Sequence, residues 1–163
     1  MEARRNRESA DRSARLHEEL LPERPPPNVH LVRVELVATT SPPPEQLPGP
    51  DDAAEFIRTH IGRLDRECFA VIHLSAKHAA LSFEIVSIGA LQASLVHPRE
   101  VFKGAILANA AAIICAHNHP SGDLTPSPED FAVRERLMQS GELLGIPVLD
   151  FLIVSQDGHV SVA

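Results

Sequence analysis

The stretch that decides the reading is Ala116-His117-Asn118-His119-Pro120-Ser121-Gly122-Asp123-Leu124-Thr125-Pro126-Ser127-Pro128-Glu129-Asp130. It follows a short apolar run, Ala111-Ala112-Ile113-Ile114-Cys115-Ala116, that reads as a buried strand. Side chains two apart on an extended chain share a face, so His117 and His119 can reach one ion. Pro120 stops the strand, and Pro126 and Pro128 stiffen the way into a helix. That helix carries Asp130 in its first turn. Two imidazoles and a carboxylate, with a fourth position left for water, are the donor set of a catalytic zinc site. The same letters admit a second reading. A His-x-His pair is often two polar residues at a strand end. Ser127-x-x-Asp130, with Pro128 at the first helical position, is also a helix capping box in form. Cys115 reads as a small buried residue rather than a further ligand.

Outward from this segment, strands and helices alternate. Asp51 or Asp52 can cap a helix carrying Ala54, Ile57, Ile61 and Leu64 at helical spacing. Cys68 to Leu74 and Leu81 to Ile88 read as strands joined by a hairpin at 75–79. Pro98 opens a second helix with Val101, Phe102, Ala105 and Ile106. A third helix runs from about Pro128 to Leu144 and stops at Gly145. Val148 to Val154 and Val160 to Val162 close the chain as strands, turning at 156–159. Interleaved helices and strands imply an α/β layered fold.

The chain has 163 residues, enough for one domain and a tail. Nine of its 14 prolines fall between Pro22 and Pro50. Residues 1–50 therefore read as a Pro-rich arm and linker, helical near 8–21 and with one strand over 29–37, and residues 51–163 as the compact domain. Two cysteines exclude a disulfide scaffold, and no apolar run approaches the roughly 20 residues that span a bilayer. The charged first residues carry no signal-peptide core, so a cytoplasmic setting is expected. A formal charge of −7 argues against gripping nucleic acid through its phosphates. A zinc deaminase would need His-x-Glu and Pro-Cys-x-x-Cys, and this sequence has neither.

His117-Asn118-His119-Pro120-Ser121-Gly122-Asp123, followed by Pro126-Ser127-x-x-Asp130, resembles the signature of RadC-like JAB domains of the JAB/MPN (JAMM) metalloprotease superfamily. Val96 to Lys103 and Leu143 to Asp150 are also similar to RadC-like sequences, so the likeness covers about residues 51–163. It implies a three-layer α/β/α, cytidine-deaminase-like fold with a mixed sheet. It implies that His117, His119 and Asp130 hold Zn2+ and that Ser127 binds the substrate carbonyl oxygen. It also implies that a glutamate from an earlier strand is the general base. Glu67, which opens the first strand 50 residues before His117, matches that placement, and Glu84 in the second strand is the competitor. The implied activity is zinc-dependent hydrolysis of a peptide or isopeptide bond in a protein or peptide substrate. The alternative is a non-proteolytic RadC-like accessory protein in DNA repair or mobile-element biology. Asp123 is either a partner that orients a ligand histidine or a loop carboxylate satisfying turn amides. Two features depart from the family pattern. About 50 Pro-rich residues stand where a helix-hairpin-helix domain is common, and Phe151 stands where a histidine is frequent.

Overall fold

The structure, a computed structural model, describes residues 49–89 and 96–162. The expected arm features over 8–21 and 29–37 lie outside the described residues. Helix α1 spans Pro50–Ile61, strand β1 Cys68–Leu74 and strand β2 Ala80–Ile88. Helix α2 follows over Pro98–Leu107, strand β3 over Ala112–Asn118 and helix α3 over Pro128–Leu144. Strands β4, Val148–Val154, and β5, His159–Ser161, complete the order.

The five strands form one sheet in the order β2-β1-β3-β4-β5. Only β3 and β4 run parallel; the other neighbours are antiparallel. A parallel pair requires a crossover, and α3 provides it. Alternation along the strands divides the core into two faces. Cys68, Ala70, Ile72, Ile114, Ala116, Leu152 and Val154 pack under α1 through Ala53, Ala54, Ile57 and Ile61. Phe69, Val71, Ile113, Cys115, Phe151 and Ile153 pack on the opposite face under Val101, Phe102 and Ala105 of α2 and Leu137 of α3. The architecture is the expected three-layer α/β/α fold with a mixed sheet.

The central strands β1 and β3 are buried along their whole length, so their sequences are continuous apolar runs rather than alternating ones. The structure adjusts several sequence boundaries. The N-cap of α1 is Gly49, with Pro50 at the first helical position. Asp51 and Asp52 lie inside the first turn, where they stand favourably at the positive end of the helix dipole but make no side-chain cap. Strand β3 starts one residue later than expected and continues through His117 and Asn118, because β1 and β4 pair with it that far or nearly so. The last strand is shifted one residue earlier, to His159. His97 caps α2, its Nδ1 accepting from the Arg99 amide at 3.1 Å. Among the described residues no helix is long and apolar enough to cross a membrane.

Candidate metal centre

The site forms at the carboxyl end of β3. Because β1 runs antiparallel to β3, the entry to β1 lies at the same end, with Phe69 opposite His117. His117 and Phe69 alternate onto the face covered by α2 and α3. His117 is fully buried against the rings of Phe69 and Phe151, whose centroids lie 6.5 and 5.6 Å from its own. His119 is one step past the strand, its amide donating to the Val154 carbonyl at 2.9 Å.

Asp130 arrives from the other side, on the first turn of α3. Ser127 caps that helix, its Oγ accepting from the Asp130 amide at 3.1 Å. Asp130 Oδ2 in turn accepts from the Ser127 amide and hydroxyl, both at 2.7 Å. The capping box and the His117-His119-Asp130 group thus share one carboxylate, so the two readings do not exclude each other. Oδ1 of the same carboxylate stands 3.0 Å from His117 Nε2. His117 Nε2 and His119 Nε2 are 2.9 Å apart, and His119 Nε2 is 3.7 Å from Asp130 Oδ2.

Two ligand atoms on one tetrahedral zinc would stand about 3.3 Å apart, given metal–ligand bonds of roughly 2.0–2.1 Å. The three observed separations bracket that value, and the group could hold a metal ion. The tautomers agree at His119, whose Nδ1 donates to the Asp123 carbonyl at 2.5 Å and leaves Nε2 with its lone pair facing the others. His117 Nδ1 has no hydrogen-bond partner among the described residues. Burial alone would raise the Asp130 pKa. Hydrogen bonds from His117 and from the Ser127 hydroxyl and amide overcome it and hold the carboxyl well below the usual carboxylate range. It is thus a carboxylate at any ordinary pH, as a ligand must be.

His119 and Asp130 line a cavity of about 870 Å3 together with Glu67 and Ser127, with Val96 on one wall and Glu129, Ala132, Val133 and Arg136 of α3 on another, while His117 lies buried behind them. Glu67 precedes β1 rather than opening it, and its carbonyl accepts from Gly89 at 2.8 Å. Glu84 lies elsewhere: it pairs with Val71, and its Oε2 faces His73 and Gly104. Four residues of strand, roughly 13 Å, separate Val71 from Glu67. Asp123 contributes its backbone carbonyl to His119, while its carboxylate accepts from the Thr125 amide at 2.9 Å. The carboxylate thus satisfies a turn amide, as the second reading has it, and His119 is held by the Asp123 backbone carbonyl rather than by its side chain. Cys115 is buried in the core, and its thiol is pushed far up by desolvation. Phe151 packs beneath His117 and does not line the cavity.

One residue went unnoticed in the sequence. Asn118, between the two histidines, is fully buried and points the other way. Its side chain bonds Cys68, Leu64 and Arg66. The available signal was its position: an amide inside a buried strand must find partners.

Residues 47–163 match the family of RadC-like JAB domains. The chain is 54% identical over 107 residues to the UPF0758 protein STH371 of Symbiobacterium thermophilum, covering 66% of this chain and 46% of that one. It is 52% identical over 110 residues to a UPF0758 protein of Moorella thermoacetica, covering 68% and 48%. It is 46% identical over 112 residues to the UPF0758 protein ABC2615 of Shouchella clausii, covering 69% and 49%. The matched region spans about half the length of these relatives. With 117 of its 163 residues inside the family match, the chain belongs to the RadC-like JAB domain family.

Proposed function

We propose that this domain is a metal-dependent amide hydrolase acting on a protein or peptide in the cytoplasm. The observation that carries the reading is the convergence of His117 Nε2, His119 Nε2 and an Asp130 oxygen beside a cavity that His119, Asp130, Glu67 and Ser127 line. Zinc, when bound there, supplies Lewis acidity and lowers the pKa of water toward about 7. Glu67 takes a proton from the attacking water on a carboxylate oxygen and passes it to the leaving nitrogen. Ser127 donates its hydroxyl to the substrate carbonyl oxygen as charge gathers on it. That hydroxyl is bonded to Asp130 Oδ2 in this structure, so it must turn, and the Ser127 amide keeps Oδ2 satisfied when it does.

The test has two stages. Purified protein should carry about one zinc per chain and lose it in His117→Ala. Wild type should then hydrolyse members of a peptide and isopeptide library that Glu67→Gln leaves intact. Zinc-free wild type would overturn the metal reading. A zinc-loaded protein indistinguishable from Glu67→Gln would replace the hydrolase with the accessory, binding role.

A further inference from the structure

We infer that Asn118 is the positioning residue for Glu67, holding the acid in register with the metal ligands by acting as an extra backbone peptide group. The inference rests on the hydrolase reading for its consequence but not for its geometry. Strand alternation sends His117 toward the cavity face and Asn118 toward the α1 face. There the chain returns from α1 to β1 through residues 62–67, which cross the end of the sheet. The β1–β3 ladder stops at Phe69 and His117, one residue short of holding this crossing.

The Asn118 side chain takes over where the ladder stops. Its Oδ1 accepts from the Cys68 amide at 2.6 Å. Its Nδ2 donates to the Arg66 carbonyl at 3.1 Å and the Leu64 carbonyl at 3.3 Å. A carboxamide is chemically a peptide group. Its donor and acceptor engage the carbonyl before Glu67 and the amide after it, the pattern with which a parallel strand holds the residue between them. The Glu67 carbonyl is fixed separately by Gly89. The backbone on both sides of Glu67 is thereby set, and with it the direction in which the side chain leaves.

Asn118 is fully buried, so each of these bonds is costly to lose, because no water can take the partner's place. The tripeptide His117-Asn118-His119 thus addresses two segments at once. The imidazoles meet Asp130 on one face, and the amide holds the approach of Glu67 on the other. Leucine would fill the space but bond nothing. Aspartate would keep the acceptor for Cys68 and set a charge against two carbonyls.

The inference is tested with Asn118→Ala and, because Ala may leave too large a hole, with Asn118→Ser. In metal-free protein, amide exchange at Cys68 should rise at least tenfold while Val71 and Ile114 keep their protection. Zinc affinity should stay within about threefold of wild type, since no ligand touches the amide. With zinc bound, kcat on whichever library peptide wild type cleaves should fall at least tenfold with KM little changed. In a double-mutant cycle, Asn118→Ala should add almost nothing to Glu67→Gln. Unchanged exchange at Cys68 overturns the inference, as does zinc affinity falling in step with kcat, or losses that add in full. If wild type cleaves nothing, the hydrolase reading falls, and exchange at Cys68 alone decides whether Asn118 holds this segment.

Discussion

His73 Nε2 lies 3.7 Å from Glu84 Oε2, and neither atom has a hydrogen-bond partner among the described residues. His73 Nδ1 is satisfied by Ser82 Oγ at 2.7 Å. Desolvation pushes the imidazole pKa down from 6.5 to about 4, and it pushes the Glu84 carboxyl up, with Lys103 opposing and Glu100 assisting. The unfolded chain binds the His73 proton more readily, so this contribution to stability is complete above pH 6.5 and is lost as pH falls toward 4. Glu84 acts with the opposite sign, since its raised pKa favours the folded state until pH climbs through it. Urea unfolding at pH 7.5 and pH 5 should show the His73 part as about 2 kcal/mol of lost stability, a loss absent from His73→Leu.

Glycines in helices are ordinarily worth replacing by alanine, which gains about 1 kcal/mol in helix propensity. Two glycines here should do the reverse, to different degrees. A Cβ at Gly141 would lie 2.6 Å from the Ile146 carbonyl oxygen and 3.3 Å from Phe102 Cζ. A Cβ at Gly104 would run into Glu84 Oε2, the far end of a side chain, and lie 3.0 Å from His73 Cε1. Backbone cannot swing aside and a carboxylate can. Gly141→Ala should cost about 1–3 kcal/mol by thermal or urea unfolding, and Gly104→Ala less. Combining Gly104→Ala with Glu84→Ala should recover most of the latter cost.

His119 depends on the Asp123 carbonyl, not on its side chain. Asp123→Ala should therefore bind zinc within about threefold of wild type. His119→Ala, which deletes a ligand, should weaken binding by more than the 10–100-fold typical of an outer partner. Isothermal titration against a competing chelator measures both. A large loss in Asp123→Ala would show that the 120–125 loop needs the carboxylate bond to Thr125 to hold its course.

Ser127 has two duties that substitution can separate. Ser127→Ala removes an N-cap, with an expected cost of about 1 kcal/mol in unfolding free energy. On the hydrolase reading it also removes the donor to the carbonyl oxygen, so kcat should fall roughly 10²-fold or more. Ser127→Asp restores a capping oxygen without a hydroxyl donor, and should recover less activity than stability.

Much of this architecture can be read along the chain because its signals are local. Pro128 behind Ser127 marks the start of α3, and Gly145, at φ +69, marks its end. Pro98 likewise marks α2. The His-x-His spacing already places two imidazoles on one face. Glu67 and Asn118 are different. Their relation spans 50 residues and exists only because β1 and β3 are antiparallel neighbours, which no short window reveals. The cap of α1 is not legible along the chain, because Asp51 and Asp52 are the better capping residues by type, yet Pro50 starts the helix before them. Glu84 was a reasonable competitor for Glu67 by spacing alone. Pairing register removes it from the cavity, and register is set by the sheet.

Asp130 closes the first turn of α3 as well as facing the two imidazoles. If the domain binds a metal as proposed, a descendant that gave it up would still need an acceptor at that place to keep the helix fastened. Retention of this aspartate across diverging lineages is therefore poor testimony that the chemistry survives. His117 and His119 carry no such structural obligation through their Nε2 atoms, and it is their loss that would date the end of metal binding.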